Sequence, residues 1–250
     1  MQIVTFNIRC DYGQDGANNF DNRKVLIEKK IKEEQPDIIC FQEVLPHVAQ
    51  WLKESLTDYY VLGCGRDKDL QNEQTSIAYR KELFHLVKME VFWLSDTPDI
   101  PGSRYTNQSE CPRTCTVLYL YDIKKARVLR VYNTHLDHIG SEARSQGLKL
   151  IMDKISQTDY MGKVPFILTG DFNALPDSEE LAVLNNYEGI YDCTKTISGT
   201  FHDYGREKIE EKIDYIIADK AFNCKGTVRW TDRVKGVYLS DHYPVSTVLE

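Results

Sequence analysis

A mixed α/β fold in one large domain is what the sequence predicts, on three observations. At 250 residues the chain has the length at which α/β and all-β sandwiches are commonly single domains. Its early part alternates apolar runs of strand length with helical periodicity, and its later part is mostly strands with two more helical stretches. No repeat, low-complexity tract or linker divides it.

The elements follow in order. IVTFN (3–7) is a strand. Residues 22–34 set Leu26, Ile27, Lys30 and Ile31 on one helical stripe, which Pro36 stops. DIICFQE (37–43) is a continuous apolar run, the mark of a strand covered on both faces. Residues 47–56 read as a short helix and 59–64 as strand. SIAYR, ELFHLVKMEVFW, TCTVLYLYD and ARVLRVYNTH are β-rich runs separated by polar turns. Ser141 is placed to cap a helix on which Leu148, Ile151, Met152 and Ile155 recur at helical spacing. VPFILTG is strand, and Ser178 with Glu179 and Glu180 opens another short helix with acids at its positive end. IDYIIAD, a run near 224–230 and HYPVSTVL close the chain as strands. The segment SDTPDIPGSRYTNQSECPR (95–113) is too rich in Pro, Gly and Ser for regular structure, and loops of that length are more often functional than idle.

Composition excludes several classes. Hydrophobic residues at 42% and charged residues at 28% describe a soluble globular chain. No run approaches the ~18 apolar residues of a membrane span, and the opening MQIVTFNI lacks the pattern of a secretory signal. Seven cysteines without a C-x-x-C pair read as reduced thiols, which points to the cytoplasm. A net charge of −7 disfavours a grip on long nucleic acid, because phosphate contacts need a basic face. The lysines are interleaved with acids, as in IEKKIKEEQ, and read as solvated surface.

Polar residues collect where strands end. IVTF ends in Asn7, DIICFQ in Glu43, RVYNT in His135, and FILTG in Asp171 and Asn173. Two late strands are the reverse, with Asp214 opening IDYII and Asp241-His242 opening HYPVSTV. If the late strands run antiparallel to the early ones, all these groups share one rim. Gly170 is read as the point where the FILT strand breaks, leaving Asp171 and Asn173 on the same side of an extended backbone. Each residue alone has a plain structural explanation: a strand-end cap for Glu43, a satisfied histidine for His135, a surface pair for Asp214, a turn for GDFN. Six segments agreeing make a site.

The motifs TFNIR, DIICFQEV, NTHLDH, LTGDFNALPDS, KIDYI and SDHYPV together resemble the endonuclease/exonuclease/phosphatase superfamily, whose fold is that of pancreatic deoxyribonuclease. They fall in the superfamily's order and span residues 3–248. The resemblance implies a four-layered sandwich of two mostly antiparallel β-sheets flanked by α-helices. It also implies phosphoester hydrolysis with a divalent cation, Mg²⁺ or Mn²⁺, which hard carboxylate and amide oxygens suit. On that basis Glu43 is expected to be the main metal ligand, assisted by Asn7 and Asp241. Asp171 is expected to orient and deprotonate the attacking water, and Asn173 to donate to the phosphate. His242, oriented and kept protonated by Asp214, and His135 are expected to contact the phosphate, with Glu73 as carboxylate partner of His135. NTHLDH also approaches the H-x-H-x-D-H signature of dinuclear zinc hydrolases, but Asn133 stands where the first histidine belongs and the later ligands are missing.

For substrate, VFWLSDTPDIPGS…CPRT is similar to a bacterial subgroup of the superfamily. Arg113 and Arg144 are candidates to fork onto a phosphate, and Trp93, with Tyr105, to stack on a sugar or base. The expected partner is a small phosphorylated metabolite, a sugar phosphate or nucleotide. A nuclease acting on DNA or RNA is the alternative and should show a basic groove with salt-dependent binding. A non-catalytic phosphate-binding module ranks last, since Glu43, Asp171 and His242 are all present.

Overall fold

Runs that are apolar at consecutive positions need cover on both faces of their sheet, and the fold supplies it. The computed structural model describes residues 1–157 and 162–250. One sheet contains β1 (Gln2–Asn7), β2 (Ile38–Gln42), β3 (Tyr59–Leu62), β4 (Ile77–Arg80), β11 (Cys224–Arg229) and β14 (Val245–Leu249) in the order β11-β14-β1-β2-β4-β3. The other contains β5 (Phe84–Trp93), β6 (Thr114–Asp122), β7 (Arg127–His135), β8 (Phe166–Asp171), β9 (Ile190–Asp192) and β10 (Asp214–Asp219) in the order β5-β6-β7-β8-β10-β9. A two-stranded ribbon joins β12 (Arg233–Val234) to β13 (Val237–Tyr238). The helices are α1 (Phe20–Glu34), α2 (Pro46–Ser55) and α3 (Ser141–Ser156). Each large sheet has a single parallel pair, β1 with β2 and β7 with β8, and is otherwise antiparallel.

The period-two alternation of side chains sorts the apolar residues into layers. Ile3, Ile38, Cys40, Ile167 and Ile216 meet between the two sheets. Their neighbours Val4, Ile39 and Phe41 face outward against Ile27, Ile31, Val48 and Leu52 of α1 and α2. Leu168 and Tyr215 face outward the other way, against Leu148, Ile151 and Met152 of α3. The result is the expected four-layered α/β sandwich.

Three local expectations are corrected. The FILT strand does not break at Gly170, because β8 continues through Asp171. The glycine is needed for close approach: a Cβ there would lie 2.2 Å from the Thr134 carbonyl oxygen of β7. The short helix expected to open at Ser178 begins instead at Leu181 and runs to Asn186 as a 3-10 helix, the i→i+3 form common in short pieces. Ser141 does not cap α3 through its side chain, since Gly140 holds the cap position and Ser141 is already helical. The 95–113 segment is irregular as expected, and it is packed down. Ser109 gives its backbone N–H and hydroxyl to Asp137, while Asn107 backs so closely on Gly140 that a Cβ there would lie 2.4 Å from its oxygen. All seven cysteines are unpaired. Among the described residues, no helix is long and apolar enough to cross a membrane.

Candidate active site

The antiparallel return of the late strands brings the polar ends together. In the β8–β10 ladder Asp214 stands directly opposite Asp171. Strand β14 runs antiparallel to β1 with Val245 opposite Thr5, so the Asp241-His242 pair just before it arrives beside Asn7. A bridge between Phe201 and His242, whose rings lie 5.0 Å apart, fixes that loop from the other side.

Asn7 is the hub. Its amide nitrogen donates to Glu43 Oε1 at 3.0 Å and to Asp171 Oδ2 at 3.0 Å, and lies 3.5 Å from His242 Nε2. Its amide oxygen accepts the Arg9 N–H at 3.0 Å. This orientation is fixed, because the reverse would set an oxygen against two carboxylates. Glu43 Oε2 accepts the Cys10 N–H at 2.8 Å. Asp171 Oδ1 accepts the Asn173 N–H at 2.9 Å, closing a turn with Asn173 at a φ of 48°. Asn173 therefore does not continue an extended backbone; its amide gives one N–H to the Leu136 carbonyl at 3.0 Å and keeps the other. His242 Nδ1 meets Asp214 Oδ2 at 2.8 Å, and its Nε2 points back to Asp171 Oδ2 at 3.8 Å. His135 Nε2 lies 3.6 Å from the same carboxylate oxygen.

These contacts set the charges. Burial raises the Asp171 carboxyl and the adjacent Asp214 charge raises it further, to about 7. Burial alone would lower His242, but the charge of Asp214 and its hydrogen bond outweigh it and carry the imidazole up to about 10. His242 is thus a cation at neutral pH, while burial and the Arg113 charge drive His135 well below its usual range and leave it neutral. Burial raises Glu43, yet its pKa lies below the ordinary carboxylate range, with the Asn7 amide and the Cys10 N–H hydrogen-bonding the charged form, so it stays a carboxylate. Asp241 is raised by burial and by Glu43, against the pull of His242 and of Arg9, whose Nη1 is 3.3 Å from its Oδ2.

The donor set fits a hard divalent cation. Oxygens of Asp171 and Asp214 and a nitrogen of His242 lie within 4.8 Å of one another, but an imidazole kept protonated on Asp214 has no lone pair to offer a metal, so carboxylate oxygens are the donors. Among the described residues the buried Asp214 Oδ1 has no hydrogen-bond partner. Glu43 and Asp241 add two more carboxylates at the same rim, where repulsion without a counter-charge is costly. No thiolate joins them.

Several expected roles are corrected. Trp93 is buried (4% exposed) and its indole N–H donates to the Arg66 carbonyl at 2.6 Å, so neither face is open to a ligand. Tyr105 is buried too. Arg144 spends Nε and Nη2 on Glu180, at 2.8 and 2.5 Å, and Nη1 on the Asp137 carbonyl at 3.0 Å, which makes it a latch between α3 and the 3-10 turn. Glu73 does not bond His135; both its oxygens are held by Arg66, at 2.7 and 2.9 Å. Asn133, in the zinc-like motif, takes Gln42 Nε2 at 2.7 Å and donates to the Phe41 and Ser76 carbonyls, stitching the two sheets together beneath the site. Arg113 is brought to the rim, in a narrow recess that Glu43, Arg66, Glu73 and His135 also line.

A family model described as the endonuclease/exonuclease/phosphatase family matches residues 4–242. The chain belongs to that family. Among solved family members it is similar to an endonuclease/exonuclease/phosphatase from Bacteroides vulgatus, with 33% identity and a TM-score of 0.92 over 100% of this chain and 98% of the other. It is similar also to a mannosyl-6-phosphatase of Bacteroides thetaiotaomicron, at 27% identity and a TM-score of 0.91, covering 100% and 99%. Danio rerio TDP2, solved with a single-strand DNA product, shares the fold at 17% identity and a TM-score of 0.77, covering 100% and 98%.

Two residues of the site escaped the sequence reading. Arg9 lies two positions after Asn7 in TFNIR, beyond the end of β1 and at a φ of 64°, so strand alternation does not mark it. Arg66 sits in an irregular loop, and nothing local marks it.

Proposed function

We propose that this family member is a phosphatase, dependent on a divalent cation, that removes phosphate from a small phosphorylated metabolite such as a sugar phosphate or nucleotide. One observation carries the reading: a raised carboxyl (Asp171) and a cationic imidazole (His242, on Asp214) face each other across Asn7, beside the Glu43 carboxylate. A base with a pKa near 7 is matched to taking a proton from water at neutral pH. Asp171 accepts that proton, His242 Nε2–H donates to the phosphate oxygens, and the second N–H of Asn173 is free to do the same. Glu43 and Asp241 hold the cation, here Mg²⁺ or Mn²⁺, with Asn7 fixing Glu43 between its neighbours. A cation held there would supply positive charge to the phosphate oxygens.

The acidic chain and the 27% identity to a mannosyl-6-phosphatase support a small sugar phosphate over a polynucleotide. The test is a hydrolysis screen of the purified protein with Mg²⁺ or Mn²⁺. It spans sugar phosphates, nucleotides, inositol phosphates, and single- and double-stranded DNA and RNA. Release of inorganic phosphate from small monoesters is the expected result. Cleavage of DNA or RNA with inert monoesters would replace this reading by the nuclease one.

A further inference from the structure

Arg113 is the least compensated charge beside the site. It is 4% exposed, and among the described residues its Nε and Nη1 meet no hydrogen-bond acceptor. Only Nη2 is engaged, by His138 Nδ1 at 2.9 Å. The nearest carboxylate, Asp137, stays 3.7 Å from Nε. Asp137 is already committed, taking the N–H groups of Ser109, Ile139 and Gly140 and the Ser109 hydroxyl. Glu73, across the recess, is spent on Arg66. A guanidinium does not shed its proton when buried, so it leaves an unmet demand for negative charge.

The position of that demand is specific. Arg113 precedes β6, His135 ends β7, and Asp171 ends β8, three neighbouring strands. At the usual spacing of ~4.8 Å, the Arg113 backbone stands roughly 10 Å from that of Asp171. Its guanidinium is tied to the 137–138 loop through His138, in a recess that reaches back to Glu43 and His135. A substrate whose reacting phosphoryl lies at Asp171 can therefore present a second group to Arg113, two strands away, along the recess that Glu43 and His135 also line. Beside Glu73, which lines the recess, stands an aromatic: Tyr12 is 60% exposed, with its hydroxyl donating to Asn72 Oδ1 at 3.1 Å and lying 3.5 Å from Glu73 Oε1. An exposed ring there offers a stacking face, the part expected of Trp93.

We propose that the Arg113 recess is a subsite for a second anionic group of the substrate, a carboxylate or a second phosphoryl group. The substrate class is then a phosphorylated sugar or sugar acid with two anionic ends. This deepens the phosphatase reading and rests on it. A neutral hydroxyl pair meets the geometry less well, because it leaves the charge of Arg113 uncompensated.

The test compares ligands that share a 6-phosphoryl end and differ in the charge at C1: glucose 6-phosphate, the ring-closed glucose 1,6-bisphosphate and the open-chain 6-phosphogluconate. Dissociation constants are measured by calorimetry on the Asp171→Asn protein in Mg²⁺, and kcat/KM on the native protein. At least one doubly anionic ligand is expected to bind roughly tenfold tighter than glucose 6-phosphate, the scale of a charge-assisted pair. Adding Arg113→Gln is expected to bring that ratio to about one, and Arg113→Lys to restore part of it, keeping charge without the planar fork. A ratio near one with Arg113 intact overturns the subsite, as does a preference that survives Arg113→Gln. Equal weakening of all three ligands by Arg113→Gln also overturns it, since Arg113 would then hold the scissile phosphate or only the loop. If the binding preference holds but the native protein hydrolyses nothing, the phosphatase reading fails and the subsite stands.

Discussion

At the scale of single residues, the site divides its labour by environment. Asp171 and Asp214 are opposite one another on adjacent strands, yet only Asp214 is paired with His242 at hydrogen-bond distance. That asymmetry leaves Asp171 as the carboxyl raised toward neutrality. Asp171→Asn keeps an oxygen for Asn7 and removes the base, so hydrolysis is expected to fall by about 10²–10⁴-fold. His242→Ala removes the cation and is expected to fall as far. Circular dichroism and thermal melting should show both variants folded, and near-native activity in either would remove that residue from the proposed chemistry. The residue types were legible in the sequence because each ended a strand. The partners of Glu73, Arg144 and Trp93 were not, because each is decided by a side chain remote in the chain.

At the scale of elements, close packing fixes what propensity does not. Gly170 lies inside β8, where the parallel β7 passes too near for any side chain. Gly170→Ala is expected to destabilise the fold by about 3 kcal/mol or more, through overpacking against a backbone that has no room to yield. Urea titration checks this, and a loss under 1 kcal/mol would contradict it. The loop before Asp214 carries a second element-level device. His202 Nδ1 accepts the Gly205 N–H at 3.1 Å and its ring stacks 3.9 Å from Tyr243, while the buried Nε2 has no partner. Burial, then the charge of His242, lowers its pKa to about 4. The folded state binds this proton less readily than the unfolded state, so stability is full above pH ~6.5 and is lost as pH falls toward 4. Its contribution should be on the order of 2 kcal/mol after solvent screening, read as the difference in urea midpoint between the native protein and His202→Gln from pH 7 to pH 4.5, because Asp171, raised to about 7, acts in the opposite sense over that range. His202→Gln should lose less stability than the native protein on acidification; equal pH dependence of the two would remove His202 from the effect.

At the scale of the whole molecule, two sheets bring the carboxylates of Glu43, Asp171, Asp214 and Asp241 to one rim, with Arg9 and His242 as the nearby positive charges. A divalent cation binding there favours the folded state by mass action. Millimolar Mg²⁺ or Mn²⁺ should raise the melting temperature by several degrees, about 2–4 °C per kcal/mol for a chain of this size. Glu43→Gln should cancel most of the rise. A melting temperature indifferent to both cations, and to EDTA, would count against a cation at this rim.

The sequence by itself determined the strands and the polar rim, because a two-residue period of apolar side chains and a polar terminus are local signals that survive without any partner; the sandwich came from the resemblance its motifs carry. It also placed Asn7, Glu43, His135, Asp171, Asp214 and His242 at strand ends or just beside them, which is where an antiparallel return must bring them together. Only the tertiary structure decided which guanidinium was spent and which was left over. Arg66, Arg113 and Arg144 look alike as letters, and their difference is the count of acceptors that folding happens to set within reach of each.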